Sequence, residues 1–235
     1  CAGFERLTGV SSAPRHRHVE AYATIVLAGD YEQYSYAGRL RVGAGDVVIQ
    51  PSFDCHADLM LSASLWIVRL HWRRDESLGG VYHNLEIDEI ARAAKRDVVE
   101  ATELLKSACR RAVCAEAVLQ DWADKLARDL AANPRLRIAE WARSHGISRE
   151  HISRRFSADF GVSPAQFRSE LNARAAWSKV TGTRDSLSAI ADDLGFADQA
   201  HMTRAVTALT GVPPARWRRS HSFKTAYPAA AITQA

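Results

Sequence analysis

The chain of 235 residues is 47% hydrophobic and 25% charged, a composition typical of a globular protein with one or two cores. Its longest apolar runs, such as YATIVLAG from Tyr22, are far shorter than the ~20 residues that cross a bilayer, and its four cysteines lack CxxC spacing. A membrane-spanning helix and a disulfide framework are therefore excluded, and a cytoplasmic location is expected. The net charge of +4 is uneven: residues 1–133 carry −3 and residues 134–220 carry +6, which predicts a polyanionic partner for the second part only.

Residues 1–80 are predicted to form a small antiparallel β-barrel. The stretch from Glu20 to Met60 contains short runs of β-branched and aromatic residues, separated by the turn signals AGD, AGR and GAGD. Short strands with closely spaced turns are typical of a barrel or a sandwich. We interpret this segment as an effector or sensor domain.

Histidines in this segment are candidate ligands. In PRHRHVEAY the residues His16, His18, Glu20 and Tyr22 alternate, so on a single strand all four side chains would point to one face. Together with His56 from a facing strand, His16, His18 and Glu20 would suit a divalent metal such as Zn²⁺, Ni²⁺ or Fe²⁺. The alternative is an effector pocket without metal, in which His16, His18, Tyr22 and His56 supply hydrogen bonds.

The same histidines resemble cupin motifs. His16-x-His18 is similar to the first cupin motif, and the spacing of Gly45, Pro51 and His56 is similar to the second. The resemblance implies a cupin-like fold for residues 1–80. It also leaves a divalent metal as the one cofactor to consider.

Residues 81–133 predict a helical connector. Neither Gly nor Pro occurs between Leu85 and Pro134, and two helices are expected, with a break between Cys109 and Cys114. Asn133-Pro134 ends the second helix and marks the next boundary. Apolar residues recur at helical spacing, at Ile87, Ile90, Ala94, Val98 and Leu105. This stripe predicts either a homodimer interface or packing back onto the barrel.

Residues 134–220 contain one pattern twice. GISREHISRRFSADFGVSP, from Gly146, is followed by GFADQAHMTRAVTALTGVPP, from Gly195. Equivalent positions lie 49 residues apart before the turn and 50 after it, so the second copy has a turn one residue longer. Each copy predicts a short helix, a turn in which glycine takes a positive φ, and a second helix capped by Ser148 or Asp198. The pattern is that of a helix-turn-helix.

The second helix of each copy favours DNA binding over a plain helical bundle. In the first copy Ile152 and Phe156 face inward, whereas the outward positions are polar. Of the 14 basic residues between 134 and 220, 13 are arginine, whose planar donors suit phosphates and guanine edges. A solvated basic face of a bundle is the alternative.

Residues Leu136 to Arg219 resemble the DNA-binding domain of the AraC/XylS family of bacterial transcription regulators. The most diagnostic part of that domain is represented here by Ile190, Ala191, Gly195, Phe196, Met202, Arg204, Val206, Gly211, Pro214 and Arg218. Met202 and Val206 replace two aromatic residues of the family pattern, which predicts that the second unit is the less rigid one.

The resemblance implies two recognition helices in successive major grooves, about 34 Å apart on one face of the duplex. Carried over by position, the base contacts are Arg149, Glu150, Ser153 and Arg154 in the first unit and Gln199, Ala200, Thr203 and Arg204 in the second. Phosphate contacts are expected from Arg155, Arg168 and Arg218.

Together these features predict an α+β protein: a cupin-like domain over 1–80, a connector over 81–133, a double helix-turn-helix over 134–220 and a tail over 221–235. The predicted function is sequence-specific transcription regulation in response to a small-molecule effector. Double-stranded DNA and the effector are the expected partners, with RNA polymerase as a further candidate. The alternatives are a metal-responsive regulator and a cupin-type metalloenzyme. We do not expect an enzyme, because a catalytic barrel rarely needs a fused DNA-binding domain.

Overall fold

The computed structural model describes residues 3–9, 12–72, 79–115 and 121–222. It contains two compact units, Cys1–Arg168 and Ser169–Ala235. The predicted tail lies outside the described residues from position 223 onward. Within the described ranges, no helix has the length and apolar character needed to cross a membrane.

The first unit begins with an antiparallel β domain, as predicted. Its strands are β1 (Gly3–Thr8), β2 (Ser12–Arg17), β3 (Tyr22–Ala28), β4 (Asp30–Ser35), β5 (Gly38–Gly43), β6 (Val47–Gln50), β7 (Cys55–Met60), β8 (Ser64–His71) and β9 (Gly80–Tyr82). One sheet has the order β1-β8-β3-β6-β9 and the other β2-β7-β4-β5. Over the described part of this domain the strands therefore form two packed sheets that do not close, rather than the predicted barrel.

Alternate residues of the five-stranded sheet serve two different cores. On one face, Val26, Val48 and Ile67 pack between the sheets against residues such as Val42. On the other face, residues such as Ile25 are covered by the first two helices. Because successive side chains of a strand point to opposite faces, a strand buried on both sides is apolar at successive positions, as Ile25 and Val26 in β3 are.

The described residues of the connector form three helices where two were predicted: α1 (Ile87–Arg96), α2 (Val98–Arg111) and α3 (Trp122–Ala132). The break after α2 was predicted, but the break at Asp97 was missed. Asp97 has an extended backbone, and its side chain accepts hydrogen bonds from the amides of Val99 and Glu100, so it caps α2.

The apolar stripe of the connector packs against the β domain. Its members, Ile87, Ile90, Ala94, Val98 and Leu105, belong to the cluster that covers the outer face of the five-stranded sheet. Of the two alternatives for the stripe, the structure therefore shows packing onto the sheet. A homodimer is not needed to explain these residues.

The remaining helices are α4 (Ile138–Ser144), α5 (Arg149–Phe160), α6 (Pro164–Gly182), α7 (Leu187–Asp193), α8 (Gln199–Thr210) and α9 (Pro214–Ser222). The pairs α4/α5 and α7/α8 are the two helix-turn-helix units expected from the repeat. The boundary between the compact units falls inside α6, so the first helix-turn-helix belongs to the same unit as the β domain.

Candidate functional site

The two helix-turn-helix turns are built from the same hydrogen bonds. Gly146 and Gly195 have φ values of 64° and 71°, a backbone conformation that favours glycine. The amide of Ile147 donates to the Ala142 carbonyl at 3.0 Å, and that of Phe196 donates to the Ala191 carbonyl at 2.9 Å. These bonds end the first helix of each unit and turn the chain into the second, as the repeat predicted.

The second helix of each unit begins at the predicted cap and buries the predicted residues. The side chains of Ser148 and Asp198 accept the amides of His151 and His201. The inward positions Ile152, Phe156, Met202 and Val206 are at most 1% exposed. The helix axis is thus fixed against the core, and the face on the opposite side is available for contacts.

The predicted base-contacting residues lie on those free faces. Arg149, Glu150, Ser153 and Arg154 are exposed in α5, as are Gln199, Ala200 and Arg204 in α8, while Thr203 is half-buried. Residues i, i+1, i+4 and i+5 share one side of a helix, so each set forms one continuous patch. Whether these patches contact bases stays a prediction.

The three arginines predicted to contact phosphates all contact protein groups, and whether they also contact phosphates stays a prediction. Arg155 Nε lies 2.8 Å from Asp159, and its Nη2 lies 3.1 Å from Asp121. Arg168 donates to the Leu136 carbonyl at 2.7 Å, and Arg218 donates to the Asp185 carbonyl. These contacts give all three arginines a structural role.

Arg168 and Arg218 occupy equivalent positions in the repeat, 50 residues apart, and the carbonyls that they bind are 49 residues apart. Each arginine therefore holds the segment just before the first helix of its own unit. The sequence contained a signal for this structural role, because Arg168 and Arg218 recur at the spacing of the repeat. A hydrogen bond that builds each unit is expected to recur at that spacing.

The β domain carries the histidine cluster. His16 on β2 pairs in register with His56 on β7, which brings their ring centroids to 4.3 Å. His18 lies 4.9 Å from His16 and 5.4 Å from His56 between ring centroids. One ligand atom from each histidine lies within 4.8 Å of the others. The structure thus brings together the three histidines that the sequence had singled out.

The strand that was expected to align these residues does not exist in that form. β2 ends at Arg17 and β3, in the other sheet, begins at Tyr22, so the intervening residues form the corner between the sheets. Tyr22 still joins the cluster, because its hydroxyl lies 3.3 Å from Nε2 of His56. Glu20 does not join it: its carboxylate is exposed and lies 3.4 Å from Nδ1 of His71.

Two imidazoles of the cluster, those of His18 and His56, are neutral at pH 7. Burial, with His16 nearby, lowers the pKa of His18 to about 4, and burial, with His16 and His18 nearby, lowers the pKa of His56 to about 2. Burial raises the pKa of Asp58, which lies 3.8 Å from Nε2 of His56, to about 6. Neutral imidazoles retain a lone pair that can bind a metal or accept a hydrogen bond.

A small polar cavity lies between the sheets beside this cluster. Its volume is about 30 Å³, and its polar lining includes Tyr22, Thr24, Gln33, Gln50, His56, Asp58 and Arg69. A space of this size holds roughly two water molecules. His16 and His18, predicted as effector-pocket residues, are absent from the described lining of the cavity.

The β domain also contacts the C-terminal end of α5. Arg39 on β5 is almost fully buried and lies 3.2 Å from Asp124, 3.5 Å from Asp159 and 3.7 Å from Asp121. Arg15, next to His16, reaches the Phe160 carbonyl at 3.4 Å. These residues were missed in the sequence, where nothing in the spacing relates Arg39 to acids more than 80 positions away.

The comparisons with known proteins concern mainly the C-terminal part. A family model described as a helix-turn-helix domain matches residues 141–220. An HTH-type transcriptional regulator of Mycobacterium tuberculosis, Rv1931c, is 30% identical over 84 residues, which are 36% of this chain and 32% of that relative. The chain thus spans about a third of the length of the curated relative that it matches.

Among solved structures, the chain is similar to ToxT from Vibrio cholerae, with 11% identity, a TM-score of 0.42 and coverage of 93% of this chain and 97% of that one. It is also similar to the C-terminal domain of AraT, a response regulator from Geobacillus stearothermophilus, with 17% identity, a TM-score of 0.42 and coverage of 48% and 97%. The repeat, its two turns and the family match together assign the C-terminal part of the chain: residues 141–220 are a helix-turn-helix domain.

Proposed function

We propose that this protein is a sequence-specific DNA-binding transcription regulator in which α5 and α8 contact bases in the major groove. The main support is the pair of exposed polar faces, held by the same caps and turns and fixed by buried residues on the opposite side. Side chains placed in this way can reach base edges without disturbing the core.

Arg154 and Arg204 are the residues we expect to matter most for specificity. Both are exposed and lie at the same position of the two helices. Among the described residues neither has a hydrogen bond or an ion pair, in contrast to Arg155, Arg168 and Arg218. A guanidinium without a protein partner is available for a bidentate contact to guanine.

The expected result is that Arg154→Ala removes the preference for bases in one half of the site. Selection from a randomised duplex library would first define the sequence that the wild-type protein binds. Arg154→Ala should then lose about 1–3 kcal/mol of discrimination at positions in one half, and Arg204→Ala should lose it in the other half.

Arg92→Ala is the matched control, because Arg92 is an exposed arginine on α1, far in the chain from both recognition helices. It removes the same side chain and the same charge and should leave the selected sequence unchanged. Equal losses on selected and scrambled DNA for Arg154→Ala would contradict its assignment to base reading.

The proposed role of the β domain is to respond to an effector. A cavity of about 30 Å³ leaves no room for a drug-sized molecule unless the sheets separate. The histidine cluster, in contrast, needs only side-chain movement to bind a single ion. This observation favours a metal-responsive regulator over one that responds to an organic effector.

A further inference from the structure

We propose that Asp121, the residue that caps α3, makes an autoinhibitory contact with Arg155 of α5: it holds this arginine away from the DNA backbone until a phosphate replaces the carboxylate. The inference rests on the proposed function, because it requires α5 to lie in the major groove. It gives the connector a part in setting the affinity for DNA.

Arg155 lies at the edge of the face of α5 that is proposed to contact bases. It follows Arg154, and consecutive residues of a helix are about 100° apart around its axis. Its side chain is 48% exposed. A long basic side chain at this edge is suited to the phosphates that border the groove rather than to base edges.

The fold of the helix-turn-helix does not require a cation at this position. Arg168 and Arg218 recur in both copies of the repeat and bind backbone carbonyls. Position 155, in contrast, corresponds to Ala205 in the second copy. The contacts of Arg155 are therefore specific to the first unit, and the arginine is available for a second role.

Asp121 uses its two carboxylate oxygens for different contacts. Oδ1 accepts hydrogen bonds from the amides of Ala123 at 2.8 Å and Asp124 at 3.3 Å, which caps α3. Oδ2 lies 3.1 Å from Nη2 of Arg155. Because the cap fixes the carboxylate at the start of α3, Oδ2 is held where it binds the arginine.

The start of α3 lies along the side of α5 that carries Arg155. Trp122, next to Asp121, is 5.5 Å from His151 between ring centroids. His151 precedes Arg155 by four residues, so the two side chains are neighbours on one side of α5. A phosphate that approaches Arg155 from this side therefore also approaches the negative charge of Asp121.

The residues around this contact carry an excess of negative charge. Three carboxylates, of Asp121, Asp124 and Asp159, face two guanidiniums, of Arg39 and Arg155, which gives a formal net charge of −1. Negative charge at this place repels a phosphate. The contact therefore weakens the part of DNA binding that comes from phosphates and does not depend on sequence.

Arg155 can leave its partners without stranding a buried charge. Nη2 of Arg39 lies 3.7 Å from Oδ2 of Asp121 and 3.5 Å from Oδ2 of Asp159, the same two oxygens that Arg155 contacts. Both carboxylates keep a cation when Arg155 turns toward DNA. Since an ion pair of a half-exposed side chain is weak, a phosphate can replace it.

The test is the affinity of the full chain for a scrambled duplex, measured by fluorescence anisotropy at several salt concentrations. A scrambled duplex reports phosphate contacts without base reading. Asp121→Asn retains an oxygen that caps α3 but replaces the other oxygen by an amide group, which cannot accept a hydrogen bond from Arg155.

We expect Asp121→Asn to bind the scrambled duplex about fivefold more tightly than the wild type at about 0.1 M salt. The slope of the logarithm of affinity against the logarithm of salt concentration should become steeper by about 0.9, because one more phosphate is neutralised. A merely structural role of Asp121 would not change this slope.

The gain must depend on Arg155. In an Arg155→Ala background, Asp121→Asn should change the affinity by less than about twofold and leave the slope unchanged. Equal gains with and without Arg155 would mean that Asp121 acts only through its long-range charge, which would overturn the autoinhibitory contact.

Asp88→Asn is the matched control for charge, because Asp88 is an exposed aspartate in the first turn of α1. It removes the same charge and should leave affinity and slope unchanged. Melting temperatures without DNA show whether each variant is folded. Asp121→Ser, which also caps a helix without a charge, should give the same gain and replaces Asp121→Asn if that variant is unfolded.

A folded Asp121→Asn protein that binds as the wild type does would overturn the autoinhibitory contact and leave the proposed function intact. If neither the wild type nor any folded variant binds a duplex, the proposed function fails, and the autoinhibitory contact fails with it.

Discussion

Replacing Arg39 with methionine is expected to lower the free energy of unfolding by about 3–5 kcal/mol, as measured by urea denaturation. Arg39 faces three carboxylates, and one of them, Asp124, is 0% exposed. Methionine fills a similar volume but leaves the buried carboxylate without its counter-charge. Removing one partner of a buried ion pair is far more costly than removing both, because the charge that remains cannot be solvated.

Two further variants isolate this effect. Arg39→Met combined with Asp124→Asn should recover at least half of the loss, since the buried charge is then gone as well. Arg41→Met is the matched control on the same strand: Arg41 pairs with Asp30 at 2.6 Å but its side chain is 70% exposed, so the loss should stay below about 1 kcal/mol. Similar losses for Arg39→Met and Arg41→Met would show that the buried cluster does not hold α3 and α5 on the β domain.

Phe156→Ala is expected to cost about 3–5 kcal/mol, and Val206→Ala, at the equivalent position of the second unit, about 2 kcal/mol. Phe156 is fully buried, with ring centroids 4.5 Å from Phe160 and 5.2 Å from Phe167. Val206 is also fully buried but has fewer atoms to lose. Hydrogen exchange of the amides of α5 and α8 would report the two losses separately.

Hydrogen exchange of the wild-type protein tests whether the second helix-turn-helix is the less rigid one, as Met202 and Val206 predict. Both residues are buried, so the substitution of aromatics has left no exposed gap at these positions. Higher protection of α5 than of α8 is the expected result. Equal protection, together with equal costs for Phe156→Ala and Val206→Ala, would mean that the smaller side chains have repacked without loss.

The helix-turn-helix units were predictable because their signals are local. A glycine with positive φ, a capping Ser148 or Asp198 and apolar residues four apart all act within one turn of helix, and the duplication showed the pattern twice. The break at Asp97 was missed because the apolar stripe continues on both sides of it. This continuous helical periodicity hides an aspartate that caps a helix.

The β domain was predictable in class but not in closure. Alternation and turn residues identify strands, yet they do not say which strands pair, and among the residues that the structure describes four edge strands remain in the two sheets. Because strand pairing could not be derived, His16 and His18 were predicted to share a face of one strand. They do come together, but through the β2–β7 register and the corner that leads to β3.

The sequence by itself determined the two helix-turn-helix units, the polar faces of their second helices and the presence of an antiparallel β domain, because each depends on residues close in the chain. Tertiary structure alone decided that Arg155 reaches Asp121 and that Arg168 and Arg218 hold distant carbonyls. It also decided that Glu20 lies apart from the histidines, and that Arg15 and Arg39 contact the first helix-turn-helix. These depend on pairs of residues far apart in the chain, where a charge or a ring can satisfy many partners and only the packed fold selects one.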